Sequence, residues 1–167
     1  MKPSDKIVDV ESLLPHLEKT RESGGRIAFT NGCFDLLHVG HVHYLEAARQ
    51  EGDVLVVGLN ADRSVRAIKG DKRPLNGQQE RARVLAALAC VDYVVIFEEP
   101  DPLLLIRALR PDVLVKGADW PEEGIVGADD VKSRGGSVVR VPLVPGASTS
   151  ELIRTIVRRY GAKNDGR

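Results

Sequence analysis

The run Val54-Leu55-Val56-Val57-Gly58-Leu59 constrains this chain more than any other stretch. It is short, β-branched and apolar at consecutive positions rather than alternate ones. A strand of that kind is covered on both faces, which is the habit of parallel sheets with a helix layer on each side. Arg26–Thr30, Val91–Phe97, Asp112–Lys116 and Val138–Val141 have the same character. Helix-like segments separate them. One runs from Val42 through Leu45, Ala47 and Ala48 to near Glu51-Gly52. The next opens at a capping-box spacing, Asn76 with Gln79, and turns Val84, Leu85 and Leu88 inward. A third starts at Asp101-Pro102 and stops before Pro111, and a fourth covers 126–133 up to Gly135-Gly136. The last begins at Ser148, with Leu152, Ile153, Ile156 and Val157 on one face. Strands alternating with helices predict an α/β fold with a doubly wound sheet of about five parallel strands.

The length of 167 residues suits one main domain. Residues 26–160 would form it, 1–25 a helical extension with Pro15 interrupting the stripe of Ile7, Val10, Leu13, Leu14 and Leu17, and 161–167 a tail. His16 reads as a boundary histidine. Twenty-four basic residues balance twenty-four acidic ones, which argues against a dedicated nucleic-acid binder. No apolar run approaches the ~20 residues of a membrane span. Two cysteines, Cys33 and Cys90, make no disulfide framework. The plain expectation is residence in the cytoplasm.

The residues with chemistry fall where the strands end. Between the first strand and the helix after it lie Asn31, Gly32, Cys33, Phe34, Asp35 and then His38-Val39-Gly40-His41. In an open α/β sheet, phosphates and nucleotides sit at the carboxyl ends of strands against helix N-termini. Two histidines converging on one cleft there would each donate a hydrogen bond to a reacting phosphate. A zinc site from His38, His41, His43 and Cys33 matches no established ligand spacing, and no metal ligand is assigned. Asn60 and Asp62 follow the second strand, where Asn60 suits either a substrate hydroxyl or a helix cap. Residues 63–74 read as a charged loop of Arg66, Lys69, Lys72 and Arg73, with the composition of a lid over a triphosphate. Lys116 at a strand terminus points to an anionic ligand, and Trp120, the single tryptophan, suits either stacking on a ligand or covering the core, with the ligand side favoured. Ser148 and Glu151 form a capping box, and Thr149 and Ser150 add hydroxyls at a helix N-terminus, an anion site.

Thr30 to His41, with its His-Val-Gly-His core, resembles the signature of the cytidylyltransferase-like nucleotidyltransferase superfamily. Together with Leu114–Trp120 it is similar to the adenylyltransferase branch that makes ADP-heptose. The similarity runs from about Ile27 to near Tyr160. The resemblance implies a Rossmann-like fold and transfer of an adenylyl group from ATP to a heptose 1-phosphate, with Mg²⁺ accompanying the ATP. The product would serve lipopolysaccharide core or another heptose-containing product. It also implies a homo-oligomer, dimer or tetramer, with no nucleic-acid or membrane partner. By resemblance His38, His41 and Lys69 are catalytic. Thr30, Asn31, Gly32, Cys33, Phe34 and Gly40 then contact nucleotide or phosphate, as do Arg81, Lys116, Gly117, Ser148, Thr149 and Ser150. Asp35, Asn60, Asp119 and Trp120 fall on the acceptor side. Ala118 departs from the glycine common in the family.

Two alternatives differ in substrate or class. A polyol-phosphate cytidylyltransferase, acting for example on glycerol 3-phosphate, carries an arginine just before the serine-threonine turn; here Pro142-Leu143-Val144-Pro145 stands there. A non-catalytic nucleotide-binding module would have no need of both histidines with Lys116 and the hydroxyl turn. The sugar kinase domain of bifunctional members is not expected in this chain, so the acceptor would arrive already phosphorylated.

Overall fold

The computed structural model describes residues 2–161. The expected tail therefore lies, apart from Gly161, outside the described residues. Five strands form one parallel sheet: β1 (Ile27–Gly32), β2 (Val54–Asn60), β3 (Tyr93–Phe97), β4 (Val113–Gly117) and β5 (Ser137–Val141), in the order β3-β2-β1-β4-β5. The chain winds outward from β1 through β2 to β3, then returns past β1 to lay down β4 and β5. The order reverses between β1 and β4, where open α/β sheets hold their ligands.

Alternation within each strand feeds two cores. Phe29, Val56, Val95 and Leu114 point to one face, where α1 (Val10–Glu22), α5 (Leu103–Leu109) and α6 (Ala128–Ser133) supply Leu13, Leu17, Ile106, Leu109 and Val131. Ala28, Leu55, Val57, Val113 and Val115 point to the other, against Leu45 and Ala48 of α2 (Val39–Gln50) and Ala82 and Leu85 of α4 (Gln78–Ala87). Every one of these residues but Val95, at 1%, is 0% exposed, which is why the strands read as continuous apolar runs. The remaining α-helices among the described residues are α3 (Asp62–Lys69) and α7 (Thr149–Tyr160).

The N-terminal segment is built into this core. Leu13 and Leu17 are fully buried. Ile7 bridges Val94 in parallel, the Val8 amide donates to the Val94 carbonyl, and Lys6 Nζ caps the Leu88 and Val91 carbonyls. Pro15 sits inside α1 without ending it. Asp9 caps α1 by accepting from the Ser12 amide, at a spacing the sequence shows but the apolar stripe alone does not reveal.

Several boundaries differ from expectation. The stretch 63–74 is not a loop throughout: its first part is α3, a short and strongly charged helix held by the buried Ser64 and Val65. The cap of α4 is Gly77 with Glu80, one residue later than Asn76 with Gln79, because the Glu80 carboxylate accepts the Gly77 amide. Val84 is then 52% exposed, and Ala82, Leu85 and Ala86 take the inward face. Ser148 does cap α7, accepting from the Glu151 amide. Its apolar face is mostly open, with Leu152, Ile156 and Val157 exposed.

Candidate active site

One cavity of about 660 Å³ opens at the carboxyl ends of β1 and β4. Small-molecule sites fall in this size range. His38, His41, Lys69, Lys116, Trp120 and the Ser148–Ser150 turn all border it. The groups that sequence reasoning scattered over more than a hundred positions therefore share one hollow. Asn31, Gly32, Cys33, Phe34, Gly40, Asn60, Gly117 and Asp119 border it too.

The histidines are set by the first turn of α2. The helix begins at Val39, earlier than Val42, so His38 is its N-cap and His41 lies inside the turn. Their rings stack with centroids 3.9 Å apart and planes 28° apart. Phe34 meets the His41 ring edge-on at 5.3 Å. A Cβ on Gly40 would come within 3.0 Å of the His38 ring and 3.1 Å of the Ala147 Cβ, so any larger residue there would press on the folded-back ring. Burial lowers the pKa of His38; burial, and then the neighbouring His38 charge, bring His41 down to about 4. Both imidazoles are neutral at pH 7. Their Nδ1 atoms are buried without a partner among the described residues.

Lys116 is the half-buried cation of this cavity. Its ammonium donates to Asn31 Oδ1, and burial, against the pull of Asp119, brings its pKa down to about 8. A strand-end lysine desolvated this way gains from any anion that enters. Lys69, the last residue of α3, is exposed at the rim. The Cys33 thiol is pushed up by burial, although Lys69, Arg81 and Arg73 pull it down. It is a protonated thiol, unsuited to nucleophilic attack.

Three of the expected site residues do not border this cavity. Thr30 is fully buried, and its hydroxyl is 2.6 Å from the Tyr44 hydroxyl. Asp35 is 4% exposed and anchors the basic segment: it accepts from Arg73 Nε and from the Leu75 and Asn76 amides. Burial raises its carboxyl, but those amides and the Arg73 guanidinium outweigh it and hold the group below the usual range. Arg81 is 2% exposed, with donors going to the carbonyls of Cys33, Asn60 and Asn76 and to Asp62 Oδ1. It ties the ends of β1 and β2 to the starts of α3 and α4 and leaves little for a phosphate. Asn60 borders the cavity, but its side-chain amide donates to Ser64 Oγ inside α3. Tyr44 was not singled out in the sequence. Its only signal there is a position three residues beyond His41.

The fold and this site define a nucleotide-type α/β protein, with two neutral imidazoles and a half-buried ammonium at a cavity large enough for a small molecule. Residues 29–155 match the family described as Cytidylyltransferase-like, and the chain belongs to that family. It is 56% identical over 153 residues to the Bifunctional protein HldE of Methylobacillus flagellatus, covering 92% of this chain and 31% of that one. It is 59% identical over 152 residues to the Bifunctional protein HldE of Pelobacter propionicus, covering 91% and 31%. The chain thus spans about a third of the length of the curated relatives it matches. Among solved structures, the lipopolysaccharide core biosynthesis protein of Thermoplasma volcanium superposes with a TM-score of 0.59 at 28% identity, covering 72% of this chain and 98% of that one. No helix among the described residues is long and apolar enough to cross a membrane.

Proposed function

We propose that the chain transfers the adenylyl group of ATP to a heptose 1-phosphate, releasing pyrophosphate and giving ADP-heptose. The observation that carries the reading is the convergence of His38, His41, Lys116 and the Ser148–Ser150 turn on one cavity at the reversal of the sheet. Similarity to the HldE proteins and to a lipopolysaccharide core biosynthesis protein supports the sugar branch.

In this reading an oxygen of the sugar phosphate attacks the α-phosphorus of ATP. The bond from that phosphorus to the bridging oxygen breaks, and its electron pair leaves with pyrophosphate. The nucleophile is already anionic, so no base and no covalent enzyme intermediate are required. His38 and His41 donate N–H groups to the oxygens where charge builds up, and Lys116 and Lys69 hold phosphate oxygens. The amides and hydroxyls at the start of α7 receive the distal phosphates. Mg²⁺ would arrive on the triphosphate and lower its charge. Among the described residues no group of three or more His, Cys, Asp or Glu side chains is placed to hold a metal. Phosphate oxygens and water would therefore be its main ligands, as is usual for this ion.

Pyrophosphate release from the purified chain, measured with ATP or CTP against heptose 1-phosphate or glycerol 3-phosphate, tests this reading. Turnover with ATP and the heptose is expected. Turnover confined to CTP and glycerol 3-phosphate would reassign the substrate, and nucleotide binding without release would make the site a sensor.

A further inference from the structure

Strands β1 and β4 are neighbours, yet they pair only at Ala28–Val113 and Phe29–Leu114. Both continue well past that point. β1 stays in register with β2 as far as Gly32–Leu59, and β4 with β5 as far as Gly117–Val141. The two halves of the sheet therefore part company beyond Phe29, and the cavity occupies the opening. Two side-chain links span it. From α2, Tyr44 donates its hydroxyl to the Val115 carbonyl at 2.9 Å and lies 2.6 Å from Thr30 Oγ1. One residue further along each strand, Lys116 reaches Asn31.

Tyr44 follows His41 by three residues in α2, so both rise from the same face of the helix. Val115 immediately precedes Lys116. One hydroxyl thus joins the histidine helix to both edges of the opening, at the residue next to the half-buried lysine. We propose that Tyr44 is a positioning residue whose hydroxyl fixes the width of the β1–β4 opening, and with it the placement of His41 relative to Lys116 for the transfer proposed above. Burial keeps the phenol well above its ordinary pKa, so it remains a donor across the working range. The same enclosure depresses Lys116, and a strut that fails would admit water and let its pKa climb.

Tyr44→Phe in the full chain keeps the ring and removes the strut. Two readouts apply: kinetics with ATP and heptose 1-phosphate across alkaline pH, and a ¹³C-lysine NMR titration in which Lys116 is assigned by its absence in Lys116→Met. The expected result is a fall in kcat of about tenfold, with KM for ATP changed less than about twofold, since a small misplacement of reacting groups weighs on the transition state. The Lys116 midpoint and the alkaline limb of the profile should both rise by about one pH unit. Thr30→Val removes the other hydroxyl of the bridge and should shift both the same way, so the test survives if Tyr44→Phe folds poorly. Tyr93→Phe, at the far end of the sheet, should shift neither. A folded Tyr44→Phe with Lys116 titrating as in the wild type overturns the proposal. If the wild-type chain turns over no substrate, the transfer reading fails while the titration still decides on the strut: a raised midpoint upholds it and an unchanged one rejects it.

Discussion

Replacing Arg81 by methionine separates a structural clamp from a phosphate ligand. The wild-type guanidinium satisfies three carbonyls, at Cys33, Asn60 and Asn76, and the Asp62 carboxylate at 2.7 Å. Methionine fills much of the same volume but strands all four acceptors. Removing one partner of a buried ion pair costs about 3–5 kcal/mol. The Asp62 side chain keeps 28% of its exposure and can be partly rehydrated, so the lower end applies, about 3 kcal/mol. With a urea dependence of about 2 kcal/mol per molar, the unfolding midpoint should fall by about 1.5 M. Far-UV circular dichroism in urea measures this directly, with ATP affinity taken on the folded protein alongside. A midpoint within about 0.3 M of wild type, paired with a large loss of ATP affinity, would refute the clamp and restore Arg81 to the phosphates. Arg81→Lys should recover only part of the loss, because an ammonium cannot span the planar fork of contacts.

His38→Ala should lower kcat by on the order of a hundred- to a thousand-fold, the usual effect of losing one electrostatic donor; activity within about threefold of wild type would remove His38 from the mechanism. Gly40→Ala should push the His38 ring aside by a few tenths of an ångström and reduce kcat by about tenfold, and a crystal structure of the variant with an unmoved ring would defeat the explanation. His41 titrates at about 4 in the folded protein against about 6.5 when unfolded, so between those values the unfolded chain binds more protons. Stability contributed by the neutral ring is therefore complete above pH 6.5 and is lost as pH falls towards 4. Urea midpoints taken across that window should drop less steeply in His41→Gln than in wild type; parallel curves would contradict the buried neutral assignment.

The sheet was readable because every central strand is apolar on both sides, so Val54–Leu59 and Asp112–Lys116 announce themselves without help from their neighbours. The pairing of His38 with His41 and the cap at Ser148 were local in sequence and equally legible. What escaped detection depends on partners distant in the chain. Asp35 looks like a loop carboxylate until Arg73 and two amides forty residues away close around it. Arg81 reads by resemblance as a phosphate contact, and only the backbone carbonyls at two strand ends show how a buried guanidinium is satisfied there. Helix α3 is hidden for a different reason: it is only eight residues long, and Asp62, Arg63, Arg66 and Lys69 give it the composition of a charged loop.

The bridge from Ile7 to Val94 has a bearing on handling the protein. β3 ends the sheet on one side, and residues 7 and 8 lie along it, occupying the Val94 carbonyl. A fragment trimmed to begin at residue 26 would free the Val94 carbonyl on that edge, strip Lys6 from the Leu88 and Val91 carbonyls, and uncover Leu109 and its neighbours on the face beneath α1. Naked strand margins of that sort recruit other chains. The shortened protein should therefore clump at concentrations where the intact one stays dispersed, even with every residue around its cavity still present.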